Sequence, residues 1–496
     1  MYIIMIASEC APAAKVGGLA DVVYGLSKNL EMRGNTVEII LPKYDCLRND
    51  LIENPTLCHK NLNVPWNNGS IVCSVWRGTI NSRTCFFVDP RSPENFFARG
   101  AIYGCRDDGM RFAFFCKAAL EFLFKSGKRP DIIHCHDWHS GLTPVLFKEF
   151  YKSQGMEKTR ICLTVHNFRH QGIMGAELLR ATGLNRPEYF FRKDKMADIA
   201  NPGVLNFLKS AIVYSDYVVA VSPRYAWEAM HTDQGCGLNR LLLDNQQKFC
   251  GILNGIDYDV WNPETDCLIP FRYNAGIIND KYRNKDALRE KLWLKNDFKP
   301  VIAVIGRLDM QKGIHLIKHA LSYAPLHGAQ FVLLGTSPDQ ALMRDFKALQ
   351  KQYANHPDCR IELSFNEELA HLIYAGADMI LVPSMFEPCG LTQIIALKYG
   401  TVPVVRETGG LVNTVFDRDY SDKPKELRNG YSFRDSDTCA IESALYRALD
   451  LWYNNPHEFQ TLMLNGMCYD FSWNISGGKY QEIYTRLTAE ERNVTV

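Results

Sequence analysis

The feature that most constrains this chain is a rhythm: short runs of β-branched or large apolar residues recur, each separated from the next by an amphipathic, helix-like stretch. The first half carries "YIIMIAS", "TVEIILP", "TCFFVD", "DIIHCHD", "ICLTVHN" and "YVVAVS"; the second carries "VIAVIGR", "FVLLGT", "RIELSF", "MILVPS" and "VPVVRE". Near-continuous apolar strands alternating with helices imply parallel sheets covered on both faces, so an α/β protein is expected. The two series part at about residues 251–300, where "GILNGIDYDVWNPETDCLIP" is rich in turn formers and "NDKYRNKDALREKLWLK" reads as a polar helix. At 496 residues the chain is long for one domain. Two doubly wound domains are therefore expected, over 1–250 and 251–470, with 471–496 a helical segment packing back toward the first. Ligands of open α/β sheets bind beyond the carboxyl ends of the strands, so chemistry is expected from the loops just after them, facing one another across a cleft.

Charge excludes some partners. A formal net charge of +1 and a pI near 7.5 leave no global basic field for nucleic acid or an anionic membrane, so an anionic ligand must be held by local cations. Sixteen cysteines are scattered without a regular framework, several in apolar segments, as at Cys116 and Cys162; reduced thiols in a cytoplasmic protein are expected. "MYIIMIA" is too short to span a bilayer and lacks a basic leader, which predicts a strand in an unexported protein.

Three loops follow strands in the way a binding site requires. In "SECAPAAKVGGLADVV", Lys15 precedes Gly17 and Gly18, and a helix carrying Asp21 in its first turn follows. Backbone N–H groups, a helix N-terminus and a lysine suit an anion, although a tight turn with a solvated lysine reads equally simply. In "VIAVIGRLDMQKGI", Arg307 and Lys312 bracket the next loop, a fork for phosphate oxygens and a mobile point charge, or two surface cations. In "MILVPSMFEPCGLTQIIALKYG", the strand is expected to end at Pro383 and Glu387 to precede a helix begun by Gly390, Leu391 and Thr392. Glu387 would repel a diphosphate and so suits hydroxyl groups, or the helix dipole.

"DIIHCHDWHSG" offers His134, His136, Asp137 and His139 as a zinc set, but strand alternation also turns His134 and His136 into a core. "ICLTVHNFRHQG" places His166 and Asn167 at another strand end. Three DxD triplets, from Asp257, Asp417 and Asp435, are too short a pattern to carry weight.

Together "KVGGLADV", "HCHDWH", "TVHN", "NGIDYDVWNP", "GRLDMQKG", "EPCGLTQIIALKYG", "ETGGL" and "FSWNISGGKYQEIY" closely resemble the bacterial glycogen synthases and plant starch synthases, in order and to about residue 485. The resemblance implies a GT-B fold of two Rossmann-like domains. It also implies transfer of glucose from ADP-glucose, or UDP-glucose, to the non-reducing end of an α-1,4-glucan such as glycogen, with retention and without a metal or other cofactor. Carried over by position, it gives His166, Arg307, Lys312 and Glu387 catalytic roles. Lys15, Gly18, Asp21, Asn254, Cys389, Gly390, Leu391 and Thr392 would contact the donor, and Glu9, Asp137, Trp138 and Asn167 the acceptor. Departures are Val16 where threonine is usual, His170 where tyrosine is common, and "FFARGAIYG" in place of an Asp-Arg-Pro-Gly-like stretch. Ile395 stands where many related retaining transferases carry a second glutamate, as expected for the synthases.

The rival readings are a phosphorylase of the same architecture using pyridoxal phosphate, a zinc hydrolase built on "HCHDWH", and a non-catalytic glucan-binding protein. Three donor-type loops, two of them cationic, argue against the last. Chain-length preference and oligomeric state are not set by any motif.

Overall fold

Strand β1 (Tyr2–Ile6) is buried from Ile3 to Ile6 and stands at the centre of the first sheet. This computed structural model describes residues 1–489, so the last part of the stretch expected to be helical, 490–496, lies outside the described residues. The chain forms two units. One comprises Met1–Gly255 together with the chain from Trp473, and the other is the continuous segment Ile256–Ser472.

The first unit holds a nine-stranded sheet. Its remaining strands are β2 (Thr36–Pro42), β3 (Glu53–Trp66), β4 (Gly69–Ile80), β5 (Arg83–Arg91), β6 (Ile132–His136), β7 (Arg160–Val165), β10 (Tyr217–Ala220) and β11 (Phe249–Gly251). A separate two-stranded ribbon pairs β8 (Ile173–Met174) with β9 (Leu205–Asn206). In the large sheet the order is β11-β10-β7-β6-β1-β2-β5-β4-β3. The pairings from β11 to β5 are parallel, whereas β3 and β4 add an antiparallel hairpin at one edge. The expected parallel sheet is thus present, extended at one edge by a hairpin that no apolar run signalled. β3 is exposed along most of its length and bulged against β4, so it lacks the apolar run by which the buried strands announce themselves.

The second unit holds six strands: β12 (Val301–Arg307), β13 (Gln330–Thr336), β14 (Cys359–Glu362), β15 (Met379–Val382), β16 (Val402–Arg406) and β17 (Tyr431–Phe433). They pair in parallel in the order β14-β13-β12-β15-β16-β17. Each sheet therefore reverses its winding once, between β1 and β6 in the first unit and between β12 and β15 in the second. At such a point the helices leave toward opposite faces, and a crevice opens beyond the strand ends.

The C-terminal helix, Trp473–Ala489, packs on the first helix, Gly18–Met32. Two glycines permit the approach: a Cβ at Gly25 would collide with the Trp473 indole, and one at Gly477 with the Asn29 side chain. Tyr480 and Tyr484 then enter the core of the first unit. All sixteen cysteines are free thiols. Among the described residues no helix is long and apolar enough to cross a membrane.

Candidate active site

In the second unit the chain leaves β12 at Arg307, whose side chain is 55% exposed and 3.7 Å from Asp309. Asp309 caps the short turn Met310–Lys312 by accepting from the Lys312 N–H at 3.2 Å. Gly313 follows with φ +73°, and a Cβ there would strike the carbonyl of Pro383. Only glycine meets both conditions, and it presses this turn against the end of β15. The Met385 N–H donates to the Gln311 carbonyl at 2.8 Å across the same junction.

That closeness brings Lys312 and Glu387, 75 residues apart in sequence, into contact: Nζ lies 2.5 Å from Oε2. The Ser384 hydroxyl donates to the same carboxylate oxygen at 2.8 Å. Glu387 is only 6% exposed, a burial offset by this ion pair and hydrogen bond. The loop after β16 braces it from behind, where the Gly410 N–H donates to the Glu387 carbonyl at 3.0 Å. A side chain at Gly409, with φ +47°, would collide with that carbonyl.

β15 ends at Val382 rather than Pro383, and the helix expected from Gly390 begins at Thr392. Gly390 has φ +74°, outside helical space, and Gln393 Nε2 donates to the carbonyls of Cys389 and Gly390 at 3.1 and 2.8 Å. Cys389 is buried, and Leu391 forms the helix cap position. A paired carboxylate with a hydroxyl beside it can order sugar hydroxyls, while an exposed guanidinium one loop away can grip phosphate oxygens.

In the first unit the loop after β1 differs from a simple anion cradle. The N–H groups of Val16 and Gly17 donate to Glu9 Oε2 at 2.5 and 3.0 Å, and the Tyr103 hydroxyl donates to Oε1 at 2.5 Å. The anion held by this backbone is the chain's own carboxylate. Of the Gly17 and Gly18 N–H groups expected to approach an anion, that of Gly17 is occupied by Glu9. Glu9 is buried, and desolvation raises its carboxyl above the usual range despite these bonds. Lys15 pairs with Asp21 at 2.9 Å, and Gly18 begins the first helix.

Across the winding reversal, β6 delivers Asp137 with φ +54° and ψ −175°, a conformation costly for any side chain. Its Oδ1 accepts from the His166 N–H at 2.7 Å and, at 3.4 Å, from that of Asn167. Burial pushes Asp137 up to about 7, and these N–H groups work against the shift. Asn167 Oδ1 accepts from the Arg169 N–H at 3.0 Å. Trp138 packs edge-on to Phe112 and over Gly172. Asp137, His166 and Asn167 thus form one cluster at the ends of β6 and β7. Asn254, next to the last residue of the first unit's opening segment, is buried with no hydrogen-bond partner for its Oδ1 among the described residues.

The histidines of "HCHDWH" are core groups. The Thr164 hydroxyl lies 2.8 Å from His134 Nε2 and that of Tyr484 2.8 Å from Nδ1, which uses both its nitrogens. Among the described residues no three His, Cys, Asp or Glu side chains stand together at ligand spacing. Asp417 of the second DxD triplet is a structural anion, paired with Arg447 at 2.9 Å.

Sequence reasoning missed Ser384, Tyr103 and the contact of His136 with His166. Ser384 had a usable signal, since it is the second residue after Val382 at a strand end. Tyr103 had none, because its partner is 94 residues away.

Residues 2–244 match the family described as Starch synthase catalytic domain, and residues 284–460 match Glycosyl transferases group 1. Glycogen synthase 1 of Trichormus variabilis is 58% identical over 98% of this chain and 99% of its own length. Glycogen synthase 2 of Methylococcus capsulatus is 55% identical over 96% of this chain and 98% of its own. Among solved structures, the catalytic domain of starch synthase IV from Arabidopsis thaliana, bound to ADP and acarbose, superposes with a TM-score of 0.96 at 42% identity, covering 98% of this chain and 99% of that one.

Proposed function

The chain belongs to the glycogen and starch synthase family of GT-B glycosyltransferases and serves glycogen synthesis; from that premise we propose that it transfers glucose from ADP-glucose to the non-reducing end of an α-1,4-glucan, with retention. The observation that carries this reading is the Lys312–Glu387–Ser384 cluster at the winding reversal of the second sheet, with Arg307 beside it. ADP held by the starch synthase IV structure supports an adenosine donor.

The reaction breaks the bond between the anomeric carbon and the diphosphate oxygen. Negative charge grows on the diphosphate while the sugar becomes oxocarbenium-like. We assign Arg307, Lys312 and Lys15 to that growing charge, as cations fixed before reaction, with Gly18, Asp21, Asn254, Cys389, Gly390, Leu391 and Thr392 around the donor. Glu387 receives glucose hydroxyls. Lys312 leaves part of its bond with Glu387 for phosphate as the donor binds. His166 positions the sugar, and Glu9, Asp137, Trp138 and Asn167 serve the acceptor side. Domain roles follow: residues 251–470 carry the donor and residues 1–250 the acceptor.

Retention is reached by same-face attack. The acceptor hydroxyl forms the new C–O bond, and its proton passes to the departing phosphate oxygen. Fixed cations take the part a metal plays elsewhere, so the reaction is proposed to be metal-independent and, with its free thiols, cytoplasmic.

The test is glucose incorporation into glycogen from ADP-glucose and UDP-glucose in competition, with and without EDTA. Preferred use of ADP-glucose, unchanged by EDTA, is expected. Preference for UDP-glucose would overturn the donor assignment, and activity lost to EDTA and restored by a divalent ion would overturn the metal-free mechanism.

A further inference from the structure

His166 is half-buried at the end of β7, and its inward nitrogen has a partner that the proposed reaction does not use. His166 Nε2 lies 3.2 Å from Nδ1 of His136, a fully buried residue on β6. The rings are tilted by 34° with centroids 5.5 Å apart. The other nitrogen of His136, Nε2, has no hydrogen-bond partner among the described residues. His134 stacks beside it at 4.2 Å, and its own nitrogens are taken by Thr164 and Tyr484.

Burial lowers His134 and His166 to about 3 and His136 well below its ordinary value, so all three rings are neutral at working pH. A neutral imidazole carries one N–H and one lone pair. The 3.2 Å contact therefore has two arrangements. If His166 donates from Nε2, the proton of His136 must sit on its own Nε2, an N–H buried without an acceptor. If His136 donates from Nδ1, its Nε2 is only a bare lone pair, and the proton of His166 must sit on Nδ1. Buried N–H groups without acceptors are the rarer defect, because a donor stripped of water and given nothing in return loses its whole hydrogen bond.

We infer that His136 donates its Nδ1 proton to His166 Nε2 and so fixes His166 as the Nδ1–H tautomer, a ring that offers an N–H donor to an oxygen of the sugar. His136 is then a positioning residue acting through His166. A donor fixed before the substrate arrives needs no reorganisation during the reaction. The stated benefit rests on the proposed role of His166 beside the sugar; the tautomer itself does not.

The experiment is long-range proton–nitrogen correlation of the full-length enzyme labelled with 15N-histidine, with His166→Gln and His136→Asn spectra to assign the two rings. Wild-type His166 is expected to show a protonated Nδ1 and an unprotonated Nε2, and His136 a protonated Nδ1. A His166 protonated at Nε2 overturns the inference. Kinetics supply the second readout. His136→Asn keeps an N–H near the Nδ1 position and is expected to retain kcat within about threefold, whereas His136→Leu lowers kcat roughly tenfold or more with little change in the donor KM. A folded His136→Leu enzyme with wild-type kcat and an unchanged His166 tautomer also overturns it. Full activity of His166→Gln, with the expected tautomer in the wild type, would instead remove the proposed role of His166 and leave the tautomer standing.

Discussion

At the residue scale, Asp137 joins an unusual backbone conformation to a displaced titration. Its carboxyl is raised to about 7 from an ordinary 3.8, chiefly by burial. A carboxyl whose folded pKa is raised contributes stability that is fully present below the unfolded pKa and is lost as pH rises through the folded value. The loss therefore falls between about pH 4 and 7 and amounts to about 4 kcal/mol at most. Asparagine keeps an oxygen for the His166 N–H and bears the same backbone cost as aspartate, but cannot ionise. Urea unfolding of Asp137→Asn and wild type at pH 4.5 and 8 is expected to favour the variant increasingly at the higher pH; a difference that does not change with pH would refute the titration. In the second unit, Arg307→Ala and Lys312→Ala are expected to lower kcat by at least ~10²-fold, the scale of losing one preorganised electrostatic contact. Lys312→Ala also strands the buried Glu387, so its melting temperature falls while that of Arg307→Ala, a 55% exposed residue, holds. Near wild-type turnover in both variants would sink the assignment. These side chains were legible because each sits just past an apolar run. Their partners were not: nothing local says that Lys312 meets Glu387, or that Glu9 accepts from the Val16 and Gly17 N–H groups.

At the element scale, legibility followed burial. Strands such as β1 and β15, and β12 as far as Ile305, are apolar because both faces are covered, and each stands out in the sequence. β3 and β4 do not, since the edge strand "ENPTLCHKNLNVPW" turns most of its residues to water and carries asparagine and proline. Helix contacts were equally silent, being set by shape. The Gly25–Trp473 contact lets the first and C-terminal helices approach within the first unit. Gly25→Ala adds a methyl group where the indole already sits. The variant is expected to lose about 1–3 kcal/mol, the usual range for overpacking, although alanine is the better helix former. Chemical denaturation gives the value, and stability equal to or above wild type would show that the two helices separate without cost.

At the scale of the whole molecule, the second unit is an insertion: the chain leaves the first unit after Gly255 and returns at Trp473. A two-unit chain need not unfold in one step, so a single melting temperature mixes contributions. The donor assignment is better tested by where protection appears. A ligand that binds only the folded form stabilises it by RT ln(1 + [L]/Kd), about 2.7 kcal/mol at a concentration 100 times Kd. Local openings that must first release the ligand then slow by about 100-fold. Hydrogen exchange with saturating ADP is expected to show this protection in peptides covering 307–313 and 387–392, the two loops joined through Lys312 and Glu387. β13 lies one strand away from the winding reversal, is buried along most of its length, and is expected to change little. Arg307→Ala should weaken protection in both loops together, because one ligand bridges them, while UDP at the same concentration should protect less. Strong protection that spares both loops would place the donor elsewhere, and equal protection by UDP would remove the adenine preference while leaving the diphosphate site in place.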